Sequence, residues 1–540
     1  MEQAPHISII SKEMVMAAGA TATMPTEGFF LSCLDIMWEL TRYNERLLFY
    51  RNAIDIASID GNEERQQGSG TGSEMPGCAG SVIKKLKSSL AFCLTEYYPW
   101  CGRIARGNDP SSRLYIDLCH AGVEFVEAYV DAPLSEFSGE RFRMKPFFEQ
   151  LCQHYDHSGD CFYSSPLLSV QATVFSDGGL ALGITHSHLV ADGQSLWNFL
   201  VSWGEYSRGV PLSTPPLHNR KRLAVPEPSP EKAIWSLKLE IKEEDLAEAR
   251  ISSSVDGGAE DATTDEDKGG NWSAKSDDKN DEPTDASCGS MNPNTPSRNS
   301  TLRANELQGA SSSPSGRNNI DLNSDALVQC LFHLPSSAVQ RLKADAGGEG
   351  YTSFEVICAH FWQRVAVARR NPMSDPTYFY LPVNCRSRVV PPIPASYFGN
   401  VVVFDVIMST VGAICREPLG KTARRIHDAV TNMKQENYLV SFMHWMETHN
   451  NSMRGAISRP RPLGKGHNVA SSPWFPAYQV DFGWGKPSAV RAVKVHGDGE
   501  LVLFGGRPGS AKGDIEICTA LPGEVLTRLL KDSAFLAEAI

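Results

Sequence analysis

A histidine and an aspartate lie four positions apart in the stretch ALGITHSHLVADGQSLW, residues 181 to 197. A neutral imidazole such as that of His188 can accept a proton from an attacking hydroxyl or amine near pH 7. A carboxylate such as that of Asp192 can orient the ring or anchor the turn. This spacing also arises by chance, and a lone histidine is often a structural residue, so the pair alone leaves both roles open.

The flanking residues predict that this pair lies where a buried strand turns into a helix. The apolar run from Leu180 to Ile184 is typical of a strand that is buried on both faces. The amphipathic stretch from Ser195 to Tyr206 predicts the helix. Gly193 is expected to supply the φ freedom that a sharp turn needs. The pair is therefore placed at a strand end, where functional sites are common.

Other apolar patterns predict mixed sheets covered by helices, in an α/β (α+β) fold class. Leucines about four residues apart, with lysines on the opposite face, predict a helix from Ser81 to Tyr98 that Pro99 ends. The segments 167–175 and 180–186 flank a Ser-Asp-Gly-Gly turn and predict a β-hairpin.

The length predicts two domains, because 540 residues exceed what one hydrophobic core usually supports. We expect an N-terminal half-domain at residues 1–212 and a C-terminal half-domain at residues 326–540, joined by a crossover at residues 213–325. Within the crossover, residues 254 to 324 have hardly any aliphatic side chains and are expected to be a disordered insertion. A regulatory tail with phosphorylatable serines is the alternative for this stretch.

The net charge of −12 gives little information about binding partners. Residues 255 to 287 hold eleven acidic residues and three lysines, so most of the excess charge lies in the insertion. The remainder of the chain has a net charge near −4 and no basic stripe interleaved with aromatic residues. These features argue against a nucleic-acid surface.

The sequence favours a cytoplasmic protein, which we expect to be monomeric. It contains no run of about 18 apolar residues, and its first residues lack the basic and apolar regions of a signal peptide. The thirteen cysteines are scattered and several lie inside apolar runs, which is typical of free buried thiols in a reducing compartment.

One cluster has spacings that a zinc site could use, namely Cys152, His154, His157 and Cys161. It lies in a polar loop without a second pair of ligands, so a plain surface loop is favoured over a metal site.

A second landmark is the sequence Asp-Phe-Gly-Trp-Gly near the C-terminus. Its residues are Asp481, Phe482, Gly483, Trp484 and Gly485. Together with the HxxxDG sequence that ends in Gly193, it forms a pair of motifs through which the chain resembles the plant BAHD acyltransferases. Further similar segments are SLAFCLTEYYPWCGR, SLWNFLVSWGEYSRG, LPVNCRSRVVPPIPASYFGN and SSPWFPAYQVDFGWGKPSAVR.

The resemblance implies a two-domain, chloramphenicol-acetyltransferase-like fold with an active-site channel at the domain interface. An acyl-CoA co-substrate and an alcohol or amine acceptor would enter this channel, without a permanently bound cofactor or a metal. His188 would be the general base, and Asp192 would point away from substrate toward an arginine. The five residues from Asp481 to Gly485 would shape a loop beside the CoA channel.

A thioester is an activated acyl donor, so the enzyme needs chiefly to hold two substrates, remove one proton and stabilise an oxyanion. Cations near the channel mouth would bind the CoA phosphates. The candidates are Arg386, Arg388 and Lys486, each of which could instead be a surface charge or the ion-pair partner of Asp481 or Asp192. Family members place hydroxyl or indole groups at the positions of Ser471 and Ser472, which are therefore candidate oxyanion donors.

The acceptor is less well defined. Relatives that use shikimate have an arginine seven residues before the motif aspartate, where this chain has Trp474, which argues against shikimate through that contact. The surrounding segment resembles the cuticle and cutin branch, whose acceptors are hydroxylated lipids or related alcohols. A hydroxycinnamoyl transferase with a phenolic or amine acceptor is the alternative.

A catalytically silent binding partner in lipid or cuticle biosynthesis is the alternative from another class. The intact HxxxDG and DFGWG motifs favour the enzyme. Condensation-domain or carnitine-type transferases have a related histidine motif but lack the second motif.

Overall fold

The structure, a computed structural model, describes residues 5–19, 28–54, 77–107, 112–155, 160–225, 327–435, 437–449, 464–470 and 472–538. The acidic stretch at 254–324, with its expected disorder, lies outside the described residues, as do Ser471 and His157.

The strands of the described residues are, in chain order, β1 (Ile7–Val15), β2 (Phe29–Phe30), β3 (Asn44–Tyr50), β4 (Arg103–Arg106), β5 (Leu114–Asp117), β6 (Val123–Val130), β7 (Leu168–Phe175), β8 (Leu180–His186), β9 (Leu327–Leu334), β10 (Pro376–Asn384), β11 (Val402–Thr410), β12 (Gly466–Val469), β13 (Ala489–Ala492), β14 (Glu500–Gly505) and β15 (Ile515–Pro522).

The α-helices in this part of the chain are α1 (Cys33–Ile36), α2 (Gly77–Glu96), α3 (Ser135–Ser138), α4 (Cys161–Ser164), α5 (Gly193–Arg208), α6 (Ser336–Asp345), α7 (Ser353–Arg369), α8 (Val411–Arg416), α9 (Leu419–Asn432), α10 (Tyr438–Thr448), α11 (Gly523–Leu529) and α12 (Ser533–Leu536). Within the described residues, none of these helices is both long enough and apolar enough to cross a membrane.

The first sheet has the strand order β1-β6-β7-β8-β3-β13. The predicted hairpin is confirmed, since β7 and β8 pair antiparallel with Val174 opposite Leu180. Every residue of these two strands is buried, which explains the apolar run of β8, although β7 also buries the polar side chains of Ser169, Gln171 and Thr173. The sixth strand, β13, comes from the C-terminal part of the chain and pairs antiparallel with β3.

The second sheet has the order β11-β10-β12-β14-β15-β9 and consists of strands after residue 326. It mixes parallel pairs, β10 with β12 and β12 with β14, with antiparallel pairs. A small third sheet has the order β2-β5-β4. The predicted mixed α/β class is therefore confirmed.

Two helices cover the inner face of the first sheet. Helix α2 matches the predicted helix and buries Leu86, Leu90 and Leu94 completely. Helix α5 packs beside it and buries Trp197 and Trp203. Apolar side chains of β14 and β15 belong to the same hydrophobic cluster, so the two sheets meet through this core.

Candidate active site

The HxxxDG sequence forms the predicted strand, turn and helix. Strand β8 ends at His186, and α5 begins at Gly193 with Asp192 as its N-cap. The Asp192 carboxylate accepts a hydrogen bond from the Ser195 backbone N–H at 2.9 Å, which satisfies one of the free donors of the first helical turn.

The Asp192 carboxylate also forms a buried, two-point ion pair with Arg386. The guanidinium donates to both carboxylate oxygens, at 2.6 and 3.0 Å, and the Val401 N–H donates to one of them at 3.1 Å. Burial alone would raise the pKa of this carboxyl, but the Arg386 charge and these hydrogen bonds hold the pKa below its usual value. Asp192 is therefore charged, and it joins the turn after β8 to the chain around residue 400.

Gly193 has a different role from the one that its sequence position predicted. It does not have a positive φ angle, so the prediction that it supplies φ freedom is wrong. A Cβ atom at this position would lie 2.6 Å from a carbon of the Phe475 ring. The absence of a side chain is required by the close approach of an aromatic ring.

The His188 imidazole is held in one tautomer by Asn400. The Asn400 Nδ2 group donates to the Asp35 carboxylate at 2.8 Å and to the His188 carbonyl at 2.9 Å, so the amide oxygen faces the ring. That oxygen lies 3.0 Å from His188 Nδ1 and accepts its N–H. Because the proton is on Nδ1, Nε2 has a free lone pair and is the basic atom.

Asn400 is itself fixed by the buried carboxylate of Asp35. Asp35 accepts the Asn400 backbone N–H at 3.0 Å and forms an ion pair with Arg220 at 3.2 Å. Its second oxygen accepts the backbone N–H and the hydroxyl of Ser32, both at 2.8 Å, as part of a capping box on α1. A chain of contacts therefore runs from Arg220 through Asp35 and Asn400 to His188.

The indole of Trp38 stacks on the His188 ring, with ring centroids 3.6 Å apart and an interplanar angle of 16°. The buried indole N–H of Trp38 has no hydrogen-bond acceptor among the described residues.

Burial lowers the pKa of His188 to about 4, and the nearby charge of Arg46 lowers it as well. The imidazole is therefore neutral at physiological pH, as a general base must be.

The DFGWG motif lies at the opposite end of α5 from Asp192. The Asp481 carboxylate accepts the N–H groups of Gly483 and Gly485 at 2.8 and 3.0 Å, which closes a tight turn. Both glycines have positive φ angles, 111° and 100°. The Asp481 backbone carbonyl lies so close to α5 that a Cβ at Gly204 would be 2.6 Å from it.

The aromatic residues of this motif anchor it to α5 and the first sheet. Phe482 is fully buried and packs edge-to-face on Trp203 at 4.8 Å, while its carbonyl accepts the Ser207 hydroxyl at 2.8 Å. Twelve residues of helix separate Asp192 from Gly204, or about 18 Å along the axis. The motif therefore supports the helix and does not touch His188.

The three cations suggested for CoA occupy different environments. Arg386 is buried and engaged with Asp192, so the alternative of an ion-pair partner describes its position. Arg388 is partly exposed and donates to the Val430 carbonyl at 2.9 Å. Lys486 is exposed beside the DFGWG turn, without an ion pair to any described residue.

Of the suggested oxyanion and acceptor residues, the structure describes Ser472 and Trp474. Ser471 lies outside the described residues. Ser472 is partly exposed, and its hydroxyl accepts the Trp474 N–H at 3.3 Å. Trp474 is 75% exposed, so its indole faces away from the core.

The possible metal ligands have other partners. The Cys152 thiol is buried against the Arg46 carbonyl, and His154 contacts the Glu45 carboxylate at 2.6 Å. Cys161 is exposed, and no group of three potential ligands occurs within the described ranges.

Sequence reasoning missed three residues around His188, namely Trp38, Asn400 and Asp35. Ser32 and Asp35 have the spacing of a capping box, which is a recognisable helix start but does not indicate contact with a site. Asn400 follows a glycine just before a buried strand, and a polar side chain at the start of such a strand could have indicated a site residue. Nothing in the local sequence places Trp38 on the histidine.

A family profile described as "Transferase family" matches residues 74–536. A shikimate O-hydroxycinnamoyltransferase of Nicotiana tabacum is 26% identical over 75% of this chain and 77% of its own length. The BAHD acyltransferase DCR of Arabidopsis thaliana is 25% identical over 98% of this chain and 92% of its own length. A hydroxycinnamoyl-CoA:5-hydroxyanthranilate N-hydroxycinnamoyltransferase of Avena sativa is 27% identical over 86% and 88%.

Two solved structures share the fold. Vinorine synthase superposes with a TM-score of 0.62 at 18% identity, over 99% of this chain and 98% of that chain. TRI101 of F. graminearum, crystallised with coenzyme A and T-2 mycotoxin, superposes with a TM-score of 0.64 at 14% identity, over 95% and 99%. The fold is therefore the two-domain, chloramphenicol-acetyltransferase-like one.

Proposed function

We propose a catalytic role for His188 in this chain, which belongs to the BAHD family of acyl-CoA-dependent acyltransferases. His188 is the general base for acyl transfer from a CoA thioester to a hydroxyl or amine. The observation that supports this role is the hydrogen bond from His188 Nδ1 to Asn400, which leaves Nε2 unprotonated. Acyl-CoA is the co-substrate of the family, and no permanently bound cofactor is required.

In the proposed reaction, His188 Nε2 takes the proton of the acceptor as its oxygen or nitrogen attacks the thioester carbonyl. The tetrahedral intermediate then collapses, the carbon–sulfur bond breaks, and the imidazolium returns the proton to the CoA thiolate. The Nδ1–H bond to Asn400 persists through both steps and stabilises the charged ring. Trp38, stacked on the ring, stabilises the same transient cation.

Asp192 has a structural role in this proposal. Its carboxylate is fully engaged by Arg386 and by the backbone of Ser195 and Val401, so it is not available to the imidazole. The pair holds the turn after β8 against the chain that contains Asn400. Asp192 therefore positions the base and its hydrogen-bond partner relative to each other.

The binding residues of CoA and of the oxyanion stay predictions. Arg388 and Lys486 remain candidates for the CoA phosphates, because neither has a carboxylate partner among the described residues. We no longer propose Arg386 for that role, since its guanidinium is held by Asp192. Ser471 and Ser472 remain candidate oxyanion donors. A monomeric state, a cytoplasmic location and two half-domains at 1–212 and 326–540, joined through 213–325, are also proposals.

For the acyl group, we propose a hydroxycinnamoyl thioester. Two of the relatives are named for hydroxycinnamoyl transfer, one to shikimate and the other to the amine of 5-hydroxyanthranilate. For the acceptor, a hydroxylated lipid, as the resemblance to the cuticle branch suggested, is the candidate beside a phenol or amine. The intact motifs and the neutral, oriented His188 argue for turnover over a silent binding role.

The direct test measures acceptor-dependent release of free CoA from hydroxycinnamoyl-, acetyl-, malonyl- and long-chain acyl-CoA. We expect His188→Ala to lower kcat by about 10²- to 10⁴-fold, the usual contribution of a general base. His360→Ala is the matched control, because His360 is also buried and burial lowers its pKa to about 4. His360 instead packs on Phe535, which belongs to the hydrophobic cluster around the second sheet.

Near-normal turnover of folded His188→Ala would refute the role of this residue. If no donor gives acceptor-dependent CoA release with the unmodified protein, the silent binding role replaces the enzymatic one.

A further inference from the structure

Arg46 lies on the inner face of the first sheet, close to the proposed base. It is in β3 opposite Ile184 of β8, while Asn44, two residues earlier in β3, pairs with His186. Because side chains alternate along a strand, Arg46 and His186 project from the same face of the sheet. The positive charge of Arg46 lies close enough to lower the pKa of both His186 and His188.

Arg46 differs from the other buried arginines of the described residues in lacking a carboxylate at ion-pair distance. Each of the others forms an ion pair with a carboxylate; these pairs are Arg220–Asp35, Arg369–Asp498, Arg386–Asp192, Arg425–Glu417 and Arg491–Glu516. Arg46 is only 9% exposed, yet no described carboxylate lies within 4.0 Å of it. Its guanidinium donates one hydrogen bond, to the Glu45 backbone carbonyl at 2.8 Å.

Two described acids, Glu500 and Glu45, interact with Arg46 electrostatically, but neither forms an ion pair with it. Glu500, at the start of β14, interacts with Arg46 at longer range, and one of its oxygens accepts the Gly497 N–H at 3.1 Å. Burial raises the pKa of Glu500, while the Gly497 hydrogen bond and the Arg46 charge oppose this rise. Burial also lowers the pKa of Arg46, as expected for a desolvated cation.

A buried guanidinium without a carboxylate at ion-pair distance is costly, and carboxylates, like phosphates, are anions that its fork of donors fits. An unpaired cation of this kind beside a reaction centre is typical of a group whose partner arrives with the substrate. The position is separate from that of Trp474, where shikimate-using relatives were expected to have arginine.

We propose that Arg46 binds a carboxylate of one of the two substrates, so that this acyltransferase acts on an anionic substrate. The inference rests on the proposed function of His188. The carboxylate can belong to an acid acceptor or to a dicarboxylic acyl group such as malonyl. Either would form a two-point, charge-assisted contact with Arg46 and place its reacting atom near His188.

The test compares substrates that differ only in the carboxylate. In the first arm, p-coumaroyl-CoA is supplied with shikimate or 5-hydroxyanthranilate and with their methyl esters. In the second arm, malonyl-CoA and acetyl-CoA are compared with one neutral alcohol. The quantity measured is the ratio of kcat/KM for the anionic substrate to that for its neutral counterpart, which does not depend on the fraction of folded enzyme.

We expect a ratio of about 10² or more for the wild-type enzyme in one arm, which identifies the source of the carboxylate. Arg46→Gln should reduce that ratio to near 1, a loss of about 10²-fold that corresponds to a buried charge-assisted contact. Arg46→Lys should retain part of it, because the charge remains but the two-point geometry is lost. Arg42→Gln, an exposed arginine just before β3, is the matched control and should leave the ratio unchanged.

A ratio near 1 in both arms, or one that Arg46→Gln leaves unchanged, would overturn the proposal. Failure of the proposed function is a distinct result, namely no CoA release with any substrate pair. In that case calorimetric titration of the wild type and Arg46→Gln with the same acids, esters and acyl-CoAs decides the question. Preferential binding of the anion that is lost in Arg46→Gln supports the proposal, and equal binding of acid and ester overturns it.

Discussion

Asn400 should control the rate without contacting either substrate, because it decides which nitrogen of His188 is basic. Asn400→Leu keeps a side chain of similar size but removes the oxygen that accepts the Nδ1 proton at 3.0 Å. In the variant, Nδ1–H would be a buried donor without a partner. The tautomer with the proton on Nε2, which cannot act as a base there, then gains population.

The expected size follows from the free energy of an unsatisfied buried donor, about 1–3 kcal/mol. At about 1.4 kcal/mol per factor of ten, kcat should fall by roughly 5- to 150-fold, with little change in KM for acyl-CoA. The loss should be smaller than that of His188→Ala, because the imidazole is still present. Asp35 loses one donor in the same variant, so the free energy of unfolding should fall as well.

Steady-state CoA release gives the rates, and ¹⁵N NMR of the imidazole reports the tautomer directly. Ser32→Ala is the matched control, since it removes a 2.8 Å hydrogen bond from the same Asp35 carboxylate but leaves the Asn400 contact intact. It should lower stability without changing the tautomer or kcat. In a His188→Ala background, Asn400→Leu should cause no further loss of rate.

This role of Asn400 is refuted if folded Asn400→Leu retains kcat within about twofold of wild type. It is also refuted if the double variant is much slower than His188→Ala, since Asn400 would then act by another route.

Two further predictions concern stability and pH. Asp192→Ala should lower the free energy of unfolding by about 3–5 kcal/mol, because it leaves the Arg386 charge buried and unpaired. Urea unfolding would measure this loss, with Asp428→Ala as the control, because Asp428 forms an exposed i,i+4 ion pair with Arg424. A loss below about 1 kcal/mol for Asp192→Ala would contradict the prediction. Because the pKa of His188 is lowered to about 4, the base stays unprotonated until the pH falls toward that value, so kcat/KM should decline only below about pH 5. An acid limb near 6.5 in the kcat/KM profile would contradict this prediction, and Arg46→Gln, by removing a positive charge, should move the limb upward.

The elements of the site were predictable from sequence because their patterns are local. The apolar run of β8 and the amphipathic stretch of α5 lie next to each other, and Asp192 has the residue type of an N-cap. The DFGWG motif was recognised through the family resemblance, and in the structure Gly483 and Gly485 of its turn have positive φ angles, which glycine tolerates best.

The partners of these residues were not predictable, because they are distant in sequence. Asn400 is 212 residues from His188, and Arg386 is 194 residues from Asp192. Hydrophobic periodicity sets which face of an element is buried, but it does not set which polar group of another element meets it there. Gly193 shows the same limit, since the Phe475 ring that excludes a side chain comes from another part of the chain.

The pairing of β13 with β3 has a consequence for how the chain is made. Phe49 of β3 pairs with Ala489, so this edge of the first sheet stays open on the ribosome until about 440 more residues are synthesised. At usual elongation rates of about 5–20 residues per second, that delay lasts roughly 20–90 seconds. An open, apolar strand edge is a site for aggregation. We therefore expect the nascent N-terminal half to need protection during synthesis, and fragments that end before residue 489 to be poor candidates for separate expression.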